Sequence, residues 1–310
     1  MNRTMLRANG LFTFGPLILS LNATTKVGTL LFSSPKTTNL LNGEFMSSLH
    51  SCMNLIDTQL EDKIRAVILS APESHHFTAG LDLKEEMQHI LQDAPSPTKI
   101  TLEGGRSEQM PAMRNQQIHA LVARYQASIS SIARCRVPVI AAIHKHCIGG
   151  GVDIATACDA RYATKDAVFS VREARVGITA DIGSLQRLSR IVGEGAAREL
   201  VFTARDFGAS EAKNLHFVNG PRVFENYSEM MEYVDFEICQ KIAKNSPLAV
   251  QGAKNVLNWQ TERGVQDSLD YVRLWNSAFL KSDDVLLAAT AFAKKEEPHF
   301  RDFVVMNQAK

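Results

Sequence analysis

Asp153, Glu173 and Asp181 stand close together in a chain of 310 residues. Asp153 closes the run Gly149-Gly150-Gly151-Val152-Asp153, Glu173 ends Phe169-Ser170-Val171-Arg172-Glu173, and Asp181 lies within Thr179-Ala180-Asp181-Ile182-Gly183. Small and apolar surroundings raise a carboxyl's pKa toward the range where it can both take and give a proton. Two or three such groups in one cleft would support acid–base chemistry with separate points of proton removal and delivery. The same residues also admit a structural use. Asp153 could pair with Arg161 or Arg172, Glu173 with Arg172 or Arg175, and Asp181 could cap a helix starting near Ser184.

Two glycine-bearing segments could add a negative-charge receptor. Gly149-Gly150-Gly151 follows a strand and opens a helix, so its N–H groups would point at whatever sits above the helix start. Phe77-Thr78-Ala79-Gly80-Leu81-Asp82 follows another strand, and Ala79 and Gly80 are small enough for close backbone approach to a ligand. Two converging N–H groups would form an oxyanion hole; a tight packing turn is the alternative for either segment. Neither contains GxGxxG or GxxxxGK[ST], which disfavours a nicotinamide or nucleoside triphosphate cofactor. No metal site is expected at His144-Lys145-His146-Cys147, because neighbouring side chains of an extended chain point to opposite sides. Ser184 lacks a GxSxG elbow, which argues against a serine nucleophile. Lys294-Lys295-Glu296-Glu297 reads as a solvated helix end. Trp259, Trp275 and Phe279 are expected to pack in the core.

These residues need a scaffold. Residues 17–22 and 27–32 read as two short strands with a turn between them. Phe45, Leu49, Met53, Ile56 and Leu60 recur at helical spacing over 44–60. Residues 64–70 and 137–143 are apolar runs of buried-strand length, and 116–134 return to helical periodicity. A helix is expected near 150–158 and strands near 160–163 and 167–171. The recurrence of strand, strand and helix predicts an α/β layered core. From about residue 184 the pattern becomes helical, with Ser246 as a cap before Pro247. The domain reading is an extension over 1–15, a catalytic core over 16–220 and a helical region over 221–310. Residues 93–112, with three prolines and two glycines, read as one long irregular loop, of a kind that is usually mobile, functional or both.

Bulk properties narrow the class. Apolar residues make up 45%, charged residues 22% and net charge is +1, so no strong field invites nucleic acid or an anionic membrane. No apolar run is long enough to span a bilayer. The 5 cysteines form no CxxC pair and are expected as free thiols in a reducing compartment. Residues 1–15 hold two arginines and no acid, which fits a mitochondrial transit segment, or else an untargeted extension on a first strand. The chain ends Asn307-Gln308-Ala309-Lys310, so a peroxisomal Ser-Lys-Leu address is not present, although a peroxisome-like compartment remains the alternative to the mitochondrion.

The motifs together resemble the crotonase (enoyl-CoA hydratase/isomerase) superfamily over about residues 17–295. The resemblance rests on Phe77–Leu83, Pro138–His144, Cys147–Asp153, Ala157-Cys158-Asp159-Ala160-Arg161-Tyr162 and Glu173-Ala174-Arg175-Val176-Gly177, in that order. Within the superfamily the chain looks most like the dienoyl-CoA isomerases, which carry Asp, Glu and Asp where Asp153, Glu173 and Asp181 stand; hydratases usually carry Glu, Glu and Gly. The segments Ala180–Leu188, Phe202–Arg205 and Ser268–Tyr271 followed by Trp275-Asn276 also resemble that subgroup. The subgroup usually has glycine where Lys145 and His146 stand.

The resemblance implies an α/β spiral of ββα units with a helical C-terminal region that drives assembly into a homotrimer or a homohexamer (a dimer of trimers). It implies an acyl-CoA thioester substrate and no cofactor beyond the coenzyme A of that substrate; the net charge and the lack of a basic tract argue against a nucleic-acid or membrane partner. The N–H groups of Ala79 and Gly150 would hold the thioester oxygen, and coenzyme A would lie along Ala79, Gly80, Leu81, Asp82 and Leu83. The expected reaction turns a 3,5-dienoyl-CoA into a 2,4-dienoyl-CoA in fatty-acid β-oxidation. Asp181 is expected to remove the C2 proton, Glu173 to protonate C6, and Asp153 to orient the site or tune its charge. Ile178, Ala180 and Ile182 would form an apolar wall that limits water. The rival readings are an enoyl-CoA hydratase and a non-catalytic acyl-CoA- or RNA-binding crotonase homologue.

Overall fold

The computed structural model describes residues 5–7, 10–60, 62–85, 111–261, 263–279 and 282–302. The expected loop over 93–112 lies outside the described residues up to 110; Pro111 already starts a helix.

The chain begins with four antiparallel neighbours: β1 (Met5–Arg7), β2 (Leu11–Phe14), β3 (Leu17–Asn22) and β4 (Val27–Phe32). The strands read over 17–22 and 27–32 form as expected, but β1 and β2 escaped the sequence reading. Phe12 and Phe14 of β2 are buried in the main core. Residues 5–7 and 11–14 therefore belong to the folded sheet, and the extension read over 1–15 is too long.

After β4 the chain crosses through α1 (Gly43–Thr58), whose start is capped by Asn42 accepting the Phe45 N–H at 2.9 Å. Phe45, Leu49, Met53 and Ile56 form the inner stripe of this helix and are all buried. Phe45 meets Phe32 of β4 edge to face at 4.9 Å. The chain then enters β5 (Ala66–Ser70), crosses through α2 (Pro111–Arg134) to β6 (Val139–Ile143), and continues into a short β7 (His146–Ile148). Helix α3 (Gly150–Ala157), β8 (Ala160–Ala163) and β9 (Val168–Ser170) follow. Strands β4, β5, β6 and β8 are parallel neighbours, completing a seven-stranded sheet. All five residues of β5 and of β6 are buried, which is why both read as unbroken apolar runs rather than alternating ones.

A 3₁₀ turn over Glu173–Val176 leads to α4 (Ser184–Val192) and α5 (Glu194–Thr203). A two-residue β10 (Phe207–Gly208) joins β9 and β7 in a second, three-stranded sheet, and α6 (Ala209–Asn214) follows. The chain then returns to the large sheet, where Thr164 bridges Phe224. Helix α7 (Tyr227–Tyr233), a π-helical segment (Val234–Cys239) and α8 (Gln240–Lys244) come next. Met230, Val234 and Cys239 pack on Val27, Ala66, Ile68, Ile140 and Ala142 of the sheet's second face. The first C-terminal helices thus form a layer of the core rather than a separate region.

Helices α9 (Pro247–Gln260), α10 (Val265–Phe279) and α11 (Asp283–Lys294) complete the chain's helical end. Ser246 caps α9 by accepting the Ala249 N–H at 3.1 Å, and Pro247 occupies the first turn, as expected. Lys254 of α9 is buried and donates to Asp159 at 2.7 Å and to the Val137 carbonyl at 3.0 Å, tying the helix to the sheet. Trp259 is not a core residue: it is 37% exposed, stacks on Tyr271 at 4.5 Å and carries the Arg263 guanidinium 3.6 Å above its ring. Trp275 packs against Gly252, where a Cβ would come within 2.4 Å of its indole nitrogen. The Phe279 side chain lies outside the described residues. All five cysteines are free and buried. Among the described residues, no helix is long and apolar enough to cross a membrane.

Candidate active site

Four pieces of chain converge on the three carboxylates. The chain at Thr78 runs parallel to the chain at Cys147, joined by a bridge between these two residues. Thr78 donates its N–H to the His146 carbonyl at 2.9 Å and receives the Ile148 N–H at 3.1 Å. Further along the two segments stand Leu81 and, at the start of α3, Gly150. On its other side the first segment pairs with Leu41, which donates to the Gly80 carbonyl at 2.9 Å and accepts from Asp82 at 2.8 Å. Those bonds use the groups of Gly80 and Asp82 and leave the Leu81 N–H on the opposite side. Among the described residues, neither the Leu81 N–H nor the Gly150 N–H has an acceptor.

This arrangement corrects one expectation. The Ala79 N–H donates to the Thr38 carbonyl at 2.9 Å and is not free to hold an oxygen. The free pair is Leu81 and Gly150, two residues further along the first segment. A sequence pattern cannot show this, because a backbone N–H is assigned by the neighbour it finds in space. The other expected substrate residues lie where the segment bends into a short helical turn: Asp82 accepts the Glu85 N–H at 3.2 Å, Gly80 is buried, and Leu83 is 36% exposed.

Gly149 makes the turn from β7 into α3, with φ of 53°. A Cβ there would be strained and would sit 3.2 Å from Glu173 Oε1, so the glycine also makes room for that carboxylate. Glu173 opens the 3₁₀ turn after β9, and its Oε2 is buried without a partner among the described residues. Desolvation raises its pKa, and the charge of Asp181 raises it further against a backbone hydrogen bond that lowers it. Asp181 lies on the outer side of the turn before α4, and desolvation raises its pKa as well. The Asp181 carbonyl is held by Gln126 of α2, whose Nε2 donates to it at 2.7 Å. Its neighbour Ile182 reaches back to Gly150, where a Cβ would lie 3.7 Å from the Ile182 Cδ1.

Asp153 is fully buried in the first turn of α3. One carboxylate oxygen accepts the Ser184 N–H at the start of α4, and the other has no hydrogen-bond partner among the described residues. Burial pushes its pKa up to about 7, and Glu173 adds to the rise, while Ser184 and Arg187 pull it partly back. Asp153 therefore caps the helix that was to be capped by Asp181. The ion pairs considered for these carboxylates do not form: Arg172 pairs with Asp206, and Arg161 spends its guanidinium on carbonyls of Phe217, Ala155 and Cys158 and on Asn219. Ala180 and Ile182 are buried beside the turn, and Ile178 is half-buried.

The loop before β7 departs from glycine without collapsing. Lys145 adopts φ of 53°, a left-handed conformation that glycine takes without strain. His146 stacks on His76 with ring centroids 4.4 Å apart, and its N–H donates to His76 Nδ1 at 3.3 Å. Among the described residues, no group of three or more His, Cys, Asp or Glu side chains could hold a metal ion.

Solved structures match this architecture closely. A Bacillus anthracis enoyl-CoA hydratase superposes with a TM-score of 0.76, at 26% identity, covering 92% of this chain and 99% of that one. The Pseudomonas aeruginosa protein DspI matches at a TM-score of 0.77 and 21% identity, covering 95% of this chain and all of that one, and so shows the fold. The architecture is the crotonase fold. A family model described as enoyl-CoA hydratase/isomerase matches residues 100–303, and the chain belongs to that family. A relative from Arabidopsis thaliana named peroxisomal Δ(3,5)-Δ(2,4)-dienoyl-CoA isomerase is 40% identical over 91% of this chain and 95% of its own length. A mitochondrial protein of that name from Dictyostelium discoideum is 39% identical over 92% of this chain and 91% of its own. A probable mitochondrial enoyl-CoA hydratase from Arabidopsis thaliana is 30% identical over 85% of this chain and 78% of its own.

Proposed function

We propose that this protein isomerises a 3,5-dienoyl-CoA to the 2,4-dienoyl-CoA by carrying a proton from C2 to C6. The observation that carries the reading is Asp181: a second carboxylate of raised pKa beside Glu173, free of any ion pair among the described residues. A hydratase needs two carboxylates around one water, whereas a proton moved across four bonds needs an acid and a base set apart. Asp153 has one oxygen committed to the Ser184 N–H, which leaves Glu173 and Asp181 as the transferring pair. The names of the relatives at 39% and 40% identity support the same chemistry.

The thioester oxygen is held by the N–H groups of Leu81 and Gly150. That receptor stabilises the dienolate formed when C2 loses its proton, and such stabilisation is commonly the largest single contribution to the rate. C2 is bonded to the thioester carbon, so its base must stand next to the receptor. Glu173 does so, against Gly149. We therefore assign Glu173 to C2 and Asp181 to C6, the reverse of the order expected from the sequence. Asp153 orients the turn that bears Asp181. No cofactor is required, because the substrate's own thioester and diene carry the charge.

Assembly as a homotrimer or homohexamer is supported by apolar residues left exposed on the last two helices: Val265, Leu269, Leu274, Leu286 and Phe292. A mitochondrial setting follows the naming of the Dictyostelium relative, with the peroxisome as the alternative from the Arabidopsis one. The test is an assay of purified protein with 3,5-dienoyl-CoA and 2-enoyl-CoA, following the absorbance of the conjugated 2,4-diene. Asp181→Asn should lower kcat by about 10²–10⁴-fold, the usual contribution of a positioned acid or base. Rapid hydration of 2-enoyl-CoA with no diene absorbance, or full turnover by Asp181→Asn, would overturn the assignment.

A further inference from the structure

Arg187 stands on the inner side of α4 and takes no direct part in the proton transfer. Its guanidinium lies directly on the backbone of Gly183: a Cβ there would be 1.8 Å from Nη1. Gly183 has φ of 132°, a conformation reserved for glycine. The other guanidinium nitrogen, Nη2, donates to the Ser130 hydroxyl of α2 at 2.9 Å. Nη1 is buried with no hydrogen-bond partner among the described residues, as is one oxygen of Asp153. Gln126, one turn before Ser130 on the same helix, holds the Asp181 carbonyl. Helix α2 thus grips both ends of the turn between Asp181 and Arg187.

We propose that Arg187 is a positioning residue for the isomerase reaction: anchored on Ser130 and seated on Gly183, its guanidinium fixes the Asp181–Ser184 turn and supplies the counter-charge that keeps Asp153 an acceptor for that turn. The proposal rests on the reading of Asp181 as the distal proton carrier. The physical need is clear from the surroundings of Asp153. It faces Glu173, whose charge would oppose its own, the Cys147 thiol, which burial keeps neutral, and the Ser184 N–H and hydroxyl. Arg187 is the cation among the groups that act on it. Arg187 itself faces Asp153 and Cys158, with Arg134 and Arg190 opposing its charge. A buried carboxylate without a nearby cation takes up a proton, and a protonated Asp153 is a weaker acceptor for the Ser184 N–H. The Asp181 turn would then lose one of its holds, and a misplacement of about 1 Å can cost about 10²-fold in rate.

The test compares wild type, Arg187→Met, Arg187→Lys and Ser130→Ala by steady-state kinetics and by ¹³C NMR titration of aspartate carboxyls. The Asp153 resonance is identified by its loss in Asp153→Asn. In Arg187→Met, kcat should fall by about 10–100-fold with KM changed less than about threefold, because the turn moves while coenzyme A contacts stay. The Asp153 titration midpoint should rise in the same variant. Arg187→Lys keeps the charge and should restore the midpoint and part of kcat. If Arg187→Met does not fold, Arg187→Lys and Ser130→Ala carry the test: Ser130→Ala should lower kcat by about three- to tenfold, the scale of one charge-assisted hydrogen bond, with the midpoint unchanged. An unmoved Asp153 midpoint in Arg187→Met, or wild-type kcat in both Arg187→Lys and Ser130→Ala, overturns the proposal. Absence of dienoyl-CoA turnover in wild type would instead overturn the functional reading, and the titration would still report on Arg187 and Asp153.

Discussion

Replacing Asp153 by asparagine should stabilise the fold at alkaline pH. Asp153 is fully buried, and its pKa moves from 3.8 to about 7 on folding. A raised folded pKa means that the native state holds a proton the unfolded chain has already released. Between pH 4 and 7 the native state therefore binds more protons, and stability falls as pH rises. At 1.36 kcal/mol per pH unit, the gap costs the ionised native protein about 4 kcal/mol above pH 7. The cost vanishes below pH 4, where Asp153 is protonated in both states. Asparagine keeps an oxygen for the Ser184 N–H and has nothing to titrate. Urea denaturation of wild type and Asp153→Asn, at equal protein concentration, should show the variant gaining on wild type by about 3 kcal/mol between pH 5 and pH 8.5. Differences in packing between the two side chains cancel in that comparison. Glu173 and Asp181 have raised pKa values too, so wild type should lose stability with pH faster than the variant, which keeps only their share. A stability difference that stays constant across that range would refute the linkage argument.

Two further substitutions probe the backbone around the site. Lys145→Gly should stabilise the protein by up to about 1 kcal/mol in urea denaturation, because glycine adopts the left-handed conformation seen at Lys145 without the Cβ penalty; destabilisation would mean that the Lys145 side chain contributes more than its strain costs. Gly183→Ala should destabilise by about 1–3 kcal/mol and depress kcat, since the φ of 132° is strained for any side chain and the new methyl would displace Arg187; unchanged stability and activity would show that the turn relaxes freely.

The sequence by itself pointed to the family and to most of the elements on which the candidate residues stand. Strands β3 and β4, the buried stripe of α1 and the glycine turn into α3 were all legible, because each rests on local periodicity or on a short-range turn. The three carboxylates were legible because charge in apolar surroundings is unusual enough to be noticed. Strands β1 and β2 were missed because an acid-free stretch with two arginines reads as a targeting extension, although Asn9-Gly10 ahead of Leu11-Phe12-Thr13-Phe14 is a hairpin signal. What tertiary structure alone decided was the use of each group. The Ala79 N–H was spent on Thr38, leaving Leu81 beside Gly150, because the parallel register of two distant segments sets which donors stay free. Asp153 became the cap of α4 in place of Asp181, and Arg187 was drawn onto Gly183, because α2 and α3, distant in sequence, both pack against the turn. A sequence states the donors, acceptors and charges that a chain owns; only packing decides which of them satisfy one another and which remain for a substrate.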